Sequence, residues 1–271
     1  MTLSKRNDNS NSSQRLLISV VIDVSPSTNY RANPSDPTAN ELINKHLKLF
    51  INQLMSYPKI RCCAEICFVT YSTDIHVSDF VPLKTLQENT PTFEAVSRGG
   101  TRTIAAVEAA YKAIHNRAQD IVKLAVSGGG LHNSAMFLLT DGDDVHTTLE
   151  DRERVTQMVN RCTISRDRSE KVLPIICATG SHFSDKTKDM LTSLNKGFFD
   201  GFFYLPDDSE HTDMDYKKLF TFFSESLVIV TSKPHVYSSN PGSEEYIDEL
   251  LDDLHALIDD EYSDMVYPNN T

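Results

Sequence analysis

Asp23, Ser25 and Ser27 stand at alternate positions in VVIDVSPSTN (20–29), where an apolar run ends on a carboxylate and two hydroxyls follow. Thr101 follows a Gly-Gly pair in SRGGTRT (97–103), and Asp141 ends the apolar run SAMFLLTD (134–141). Two carboxylates and three hydroxyls form a set of hard oxygen donors with no imidazole or thiolate. Such a set selects Mg²⁺, Mn²⁺ or Ca²⁺ and disfavours zinc. The serines can ligate directly, and the aspartates directly or through water. With only two formal negative charges around it, a dication stays electrophilic and keeps an exposed coordination position suited to a carboxylate from another molecule. The competing reading of DVSPS alone is a strand-end turn capped by Asx and Ser side chains. Thr101 and Asp141 are what favour a metal.

Those residues need elements to bring them together, and the hydrophobic pattern supplies them. LLISVVID (16–23) reads as a strand buried on both faces, SAMFLLTD as another buried strand, and CCAEICFVTYS (62–72) and VLPIICATG (172–180) as further strands. IHVSDFV (75–81) alternates and predicts an antiparallel edge strand, and GFFYL (201–205) a last short one. Helical periodicity runs over 39–57, 103–126, 150–162, 185–195 and 215–232, the second of these ended by Gly128–Gly130. This alternation predicts an α/β fold: a doubly wound, mostly parallel, six-stranded Rossmann-like sheet with helices on both faces and one antiparallel edge strand. In such sheets ligands sit beyond the carboxyl ends of the strands, where Asp23 and Asp141 fall. Thr101 then arrives at the start of a long helix, whose first N–H groups are free.

The 271 residues carry a net charge of −12, unevenly spread. Ten acids and no Lys or Arg lie between Pro241 and Thr271, leaving 28 acids against 26 bases in the rest. A nearly neutral body with an acidic tail lacks the basic face of a nucleic-acid binder. The five cysteines show no CxxC spacing and read as reduced, mostly buried thiols of a cytoplasmic protein. The apolar stretch after the polar N-terminus is too short for a membrane helix. The expected organisation is a disordered N-terminus (1–14), one domain (15–232), a linker (233–243) and an acidic amphipathic helix or tail (244–271).

The motifs DVSPS, GGT and LLTDG, in that order and 74 and 40 positions apart from Ser27 to Thr101 to Asp141, resemble the metal-ion-dependent adhesion site of the von Willebrand factor A (vWA) family. The resemblance spans roughly residues 15–232. It implies the vWA fold, a Mg²⁺-type site at Asp23, Ser25, Ser27, Thr101 and Asp141, and recognition of an Asp or Glu on a protein partner. In the family, the position of Thr101 contacts the metal in the ligand-bound state, and that of Asp141 acts through water. VPLKTLQENTPTFEAVSRGGT and LFTFFSESLVIVTS are similar to segments of bacterial intracellular members related to the tellurium-resistance protein TerY. Those relatives are often encoded beside a protein kinase and a PP2C-type phosphatase, which implies a scaffold in a phosphorylation-linked stress or defence system. Pro26 replaces the usual Gly of DxSGS, Ile104 stands where Gly or Ala is common, and DGDDVH lacks the common Pro-Thr. None of these departures removes a ligand oxygen.

An alternative class is a Mg²⁺-dependent phosphohydrolase, but the sequence has no P-loop and no nucleophile elbow. A HAD-type phosphatase would have a second aspartate at position 25, which is serine. The expectation is a binding module and not an enzyme. Asp143 and Asp144 read as solvated loop acids, His146 as an exposed loop histidine, and Arg102 as either a surface ion-pair partner or a guide for an acidic ligand. In the tail, Ile247, Leu250, Leu251, Leu254, Leu257 and Ile258 form one apolar stripe opposite an acidic face. A lone helix of that kind is marginal in water, so the stripe is expected to dock on the body or on another chain.

Overall fold

A computed structural model of the chain describes residues 15–31, 33–124, 134–144, 146–165, 167, 170–179, 184–196, 198, 201–205, 212–232 and 252–268. The N-terminal segment 1–14, the triple glycine, the linker 233–243 and tail residues 244–251 lie outside the described residues.

Strand β1 (Leu16–Asp23) is buried along its whole length. After it come α1 (Ala39–Ser56), α2 (Pro58–Cys63), β2 (Ala64–Tyr71), β3 (Ile75–Val77), β4 (Val81–Pro82), α3 (Leu83–Glu88) and α4 (Thr103–Leu124). The second half carries β5 (Ser134–Thr140), α5 (Leu149–Thr163), β6 (Val172–Thr179), α6 (Asp185–Asn195), β7 (Gly201–Leu205), α7 (Thr212–Ser232) and β8 (Val266–Pro268). The sheet runs in the order β3-β2-β1-β5-β6-β7-β8, with β4 beside β2. Its five central strands are mutually parallel. The period of two in β1 sorts the core into two layers. Leu16, Ile18, Val20 and Ile22 pack with apolar residues of α1, α3 and α7, while Leu17 and Val21 pack with those of α4, α5 and α6.

The chain leaves β1 toward β2 on one side and returns to β5 on the other. Between the carboxyl ends of β1 and β5 lies the topological switch point of the sheet, where a crevice opens.

Two expectations are corrected. The sheet has eight strands and not six, and antiparallel strands close both edges: β3 and β4 on β2, and β8 on β7. Cys62 and Cys63 belong to α2, which begins on Pro58, where a missing N–H costs a helix nothing. All five cysteines are free, with Cys62 exposed.

From residue 252 the tail is helical, through a wider turn at Ile258–Tyr262, and it lies on the body. Leu254, Ile258, Tyr262 and Met265 join the core layer of α1 and α7. The Tyr262 ring meets Phe222 at 4.9 Å, and its hydroxyl donates to Glu225 at 2.6 Å. Lys218 pairs with Asp264 at 2.6 Å. No described helix is long and apolar enough to cross a membrane.

Candidate metal centre

The site is assembled from three loops at the switch point. The first begins as β1 ends. Val24 N–H donates to Tyr71 O at 2.9 Å, holding the loop to β2, and Ser25 N–H turns back onto Asp23 Oδ1 at 2.8 Å. A single 3₁₀ turn, Pro26–Asn29, follows, with the Thr28 hydroxyl donating to Ser25 O at 2.8 Å. Pro26 occupies the first position of that turn, where its fixed φ fits and no N–H is needed. That explains how proline can stand in for glycine here. The turn brings Ser25 Oγ and Ser27 Oγ to 2.9 Å from each other.

The second loop is pinned by Val96 N–H donating to Val24 O at 2.8 Å. Gly99 has φ +146°, and a Cβ there would fall 2.8 Å from Thr73 Oγ1. Gly100 N–H donates to the same hydroxyl at 2.8 Å, and a Cβ on Gly100 would collide with the His146 ring. The positive φ at Gly99 requires glycine, Gly100 lies against the exposed His146 ring, and the pair delivers Thr101, 6% exposed, into the crevice.

The third loop leaves β5. Thr140 Oγ1 donates to Asp23 Oδ2 at 3.2 Å, and Asp141 Oδ1 accepts from Ser27 Oγ at 3.1 Å and Ser25 Oγ at 3.5 Å. A Cβ on Gly142 would lie 3.2 Å from Thr101 Oγ1, 3.7 Å from Ser27 Oγ and 3.9 Å from Asp23 Oδ2. The space beside Gly142 is bordered by oxygens of the first two loops, and Asp141 of the third joins them through its hydrogen bonds with Ser25 and Ser27, so the five residues predicted from the sequence lie together.

The electrostatics suit a cation. Burial pushes the Asp23 carboxyl up, against hydrogen bonds from Ser25 and Thr140 that oppose the rise. Burial, and then the neighbouring Asp23, raises Asp141 to about 7. Neither carboxylate makes an ion pair among the described residues. Two carboxylates confined without a positive partner are what a dication relieves. Among the described residues no three His, Cys, Asp or Glu side chains gather into a metal-holding group. A cation here would depend on the hydroxyls of Ser25, Ser27 and Thr101.

Sequence reasoning misjudged one residue. Asp144 is not a solvated loop acid but is buried. It accepts hydrogen bonds from Ile104 N–H (2.9 Å), Thr147 Oγ1 (2.7 Å), Thr147 N–H (3.0 Å) and His146 N–H (3.2 Å). It thereby ties the loop bearing Asp141 to the first turn of α4, three residues past Thr101. The available signal was its spacing to His146 and Thr147, that of an Asx turn ahead of a helix cap. Asp143 instead accepts from the Ser184 N–H and hydroxyl at 3.0 and 3.1 Å, at the cap of α6. His146 is exposed, as expected.

No family model matches the sequence, and no curated protein matches it. Solved structures do match in fold. The conserved hypothetical protein BatB from Bacteroides thetaiotaomicron superposes with a TM-score of 0.51 at 10% identity, over 80% of this chain and 100% of that one. The PilB minor pilin from Streptococcus sanguinis gives 0.51 at 13% identity, over 84% of this chain and 66% of that one. A von Willebrand factor type A protein from Catenulispora acidiphila gives 0.50 at 15% identity, over 76% of this chain and 42% of that one. With the parallel sheet, its switch-point crevice and these neighbours, the chain has the fold of a von Willebrand factor A domain.

Proposed function

We propose that the protein is a metal-dependent protein–protein interaction module. Asp23, Ser25, Ser27, Thr101 and Asp141 hold Mg²⁺ or Mn²⁺, with Ca²⁺ the third candidate, and the acceptor is an Asp or Glu of a protein partner. The observation that carries this reading is the gathering of Asp23, Ser27 and Thr101 oxygens beside Gly142, with Asp141 hydrogen-bonded to Ser25 and Ser27.

A bound dication supplies an electrophilic coordination position open to solvent. The residues of the chain do the rest. Asp23 is fixed by Ser25 N–H and Thr140 Oγ1, so its carboxylate is oriented before any ligand arrives. Ser25 and Ser27 supply neutral oxygens, which leave the site short of negative charge and so receptive to an anionic side chain. Thr101 is held close by the Gly-Gly loop. The site binds and does not turn over substrate. Ser25 lies where a HAD-type phosphatase would need a second aspartate, and Ser25 and Ser27 donate their hydroxyl protons to each other and to Asp141, a carboxylate this reading assigns to the cation.

The finer assignment follows the segment resemblances: a cytoplasmic scaffold of the bacterial TerY-like branch, serving a phosphorylation-linked stress or defence system such as tellurium resistance. Its partners are then a protein kinase and a PP2C-type phosphatase, with no role for nucleic acid or membrane. Titration calorimetry with Mg²⁺ and Mn²⁺ tests the site. Ser25→Ala/Ser27→Ala should abolish metal binding while the circular dichroism spectrum stays native, because both hydroxyls border a surface crevice. Unchanged metal affinity in the double variant would refute the assignment. Turnover of generic phosphoesters lost in Asp23→Ala would replace the binding reading with the enzymatic one.

A further inference from the structure

Positive charge flanks the Thr101 loop in a protein that is negative as a whole. Arg98 and Arg102 bracket Gly99–Thr101, and both are exposed. Neither makes an ion pair among the described residues, although Asp74 and Glu94 lie on the same and neighbouring loops. Among the described residues, the Arg102 guanidinium donates to the Thr73 carbonyl alone, at 3.4 Å. The acids closest in sequence to Asp141 are turned away, Asp143 to Ser184 and Asp144 to the start of α4. In a protein of net charge −12, two arginines without an ion pair among the described residues lie on either side of Gly99–Thr101 and form a local positive rim.

We infer that Arg98 and Arg102 read a second carboxylate on an acidic protein segment whose first carboxylate reaches the metal site. The inference rests on the metal-dependent reading above and adds to it the charge pattern of the partner. Recognition at two points supplies what a single exposed carboxylate cannot, since one rim ion pair contributes little in water. The rim also speeds encounter with an acidic segment that the rest of the surface repels.

Two fluorescent eight-residue peptides test this on the full chain in Mg²⁺: octaglutamate, and a Gly-Ser peptide with a single central Glu. Anisotropy should show octaglutamate bound more tightly than the single-Glu peptide. Arg98→Gln and Arg102→Gln should each weaken octaglutamate about three- to fivefold, and together by about tenfold, levelling the two peptides. Mg²⁺ affinity by calorimetry should not fall, because removing positive charge beside a cation site does not weaken it. Lys59→Gln/Arg61→Gln removes the same charge from exposed positions on α2, at the other end of the sheet, and should leave the preference intact. Three results overturn the inference: no octaglutamate binding, a preference that survives in Arg98→Gln/Arg102→Gln, or an equal loss in the α2 variant. Ser25→Ala/Ser27→Ala separates the two readings. If octaglutamate binding there stays sensitive to the rim arginines and indifferent to Mg²⁺, the rim stands and the metal reading falls.

Discussion

Asp144→Ala should damage the metal site without touching a ligand oxygen. The wild-type carboxylate is 6% exposed and accepts three backbone N–H bonds and one hydroxyl. Truncation strands the buried N–H of Ile104 and takes the acceptor from the part-buried N–H groups of His146 and Thr147. Hydrogen bonds to a charged acceptor contribute about 1.5–3 kcal/mol each, and the N–H groups at the helix start and in the loop regain water in part. A loss of about 3–4 kcal/mol is therefore expected, and about half that in Asp144→Asn, which keeps one acceptor oxygen. Urea denaturation measures both. The functional consequence runs through position: with the tie cut, Thr101 and Asp141 no longer share a fixed separation. Removing a group that orients metal ligands costs about 10–100-fold in affinity, so calorimetry should show Mn²⁺ binding weakened by at least tenfold in Asp144→Ala. Recovery in Asp144→Asn should be partial. If Asp144→Ala unfolds within 0.5 kcal/mol of wild type, or binds Mn²⁺ as well, the carboxylate does not hold the loops together as argued (the threshold being about the noise of surface substitutions).

Three further outcomes are expected. Gly142→Ala places a methyl 3.2 Å from Thr101 Oγ1 and inside the volume bordered by Ser27 and Asp23; metal binding should fall about tenfold with little change in melting temperature, and undiminished affinity would show that the cation does not sit there. Removal of residues 252–271 strips Leu254, Ile258, Tyr262 and Met265 from the core and uncovers the edge of β7; at about 1.5–3 kcal/mol per buried side chain, stability should fall by several kcal/mol, and unchanged urea denaturation would mean the tail does not dock. Glu108 is held down to about 2 by hydrogen bonds from Arg154 and Lys112. A carboxyl depressed in the folded state contributes stability above its ordinary value of 4.5 and loses it as pH falls toward 2, so Glu108→Gln should flatten the wild-type decline across that window.

The fold was legible where burial forces a period. β1, β5 and β6 lie inside the sheet with both faces covered, so their sequences are near-continuous β-branched and apolar runs that nothing else explains. The elements that escaped are those whose reason to exist is elsewhere in the chain. β8 has three residues and ends in proline, and it forms because the edge of β7 offers unpaired backbone groups. β4 is two residues beside β2. The apolar pair Cys62–Cys63 reads as strand, yet Pro58 starts a short helix that carries it, and propensity gives way to the local cap. The tail was read through its stripe, and the stripe is real from Leu254 onward; which face of the body receives it follows from Phe222 and Glu225, and no spacing within the tail encodes that.

The site divides along the same line. Ligand oxygens are legible because each sits at a position that topology makes special: the end of a buried strand or the turn before a long helix. The residues that fix those oxygens are not, because their work is long-range. Thr73 appears in sequence as an ordinary polar loop residue, and only its contacts with Gly99 and Gly100 show what holds the loop that begins 26 positions later. Thr140 is one residue before Asp141, but its hydroxyl serves Asp23, on the neighbouring strand. Asp144 lies three positions beyond Asp141 in a run of acids, a context that suggests solvent. Its burial is decided by the free N–H of Ile104, 40 positions earlier in the chain, which needs an acceptor at the start of α4. A site built from short neutral side chains has little charge with which to organise itself. Its order must come from such ties, and they are where substitutions should tell a metal site apart from a capped turn.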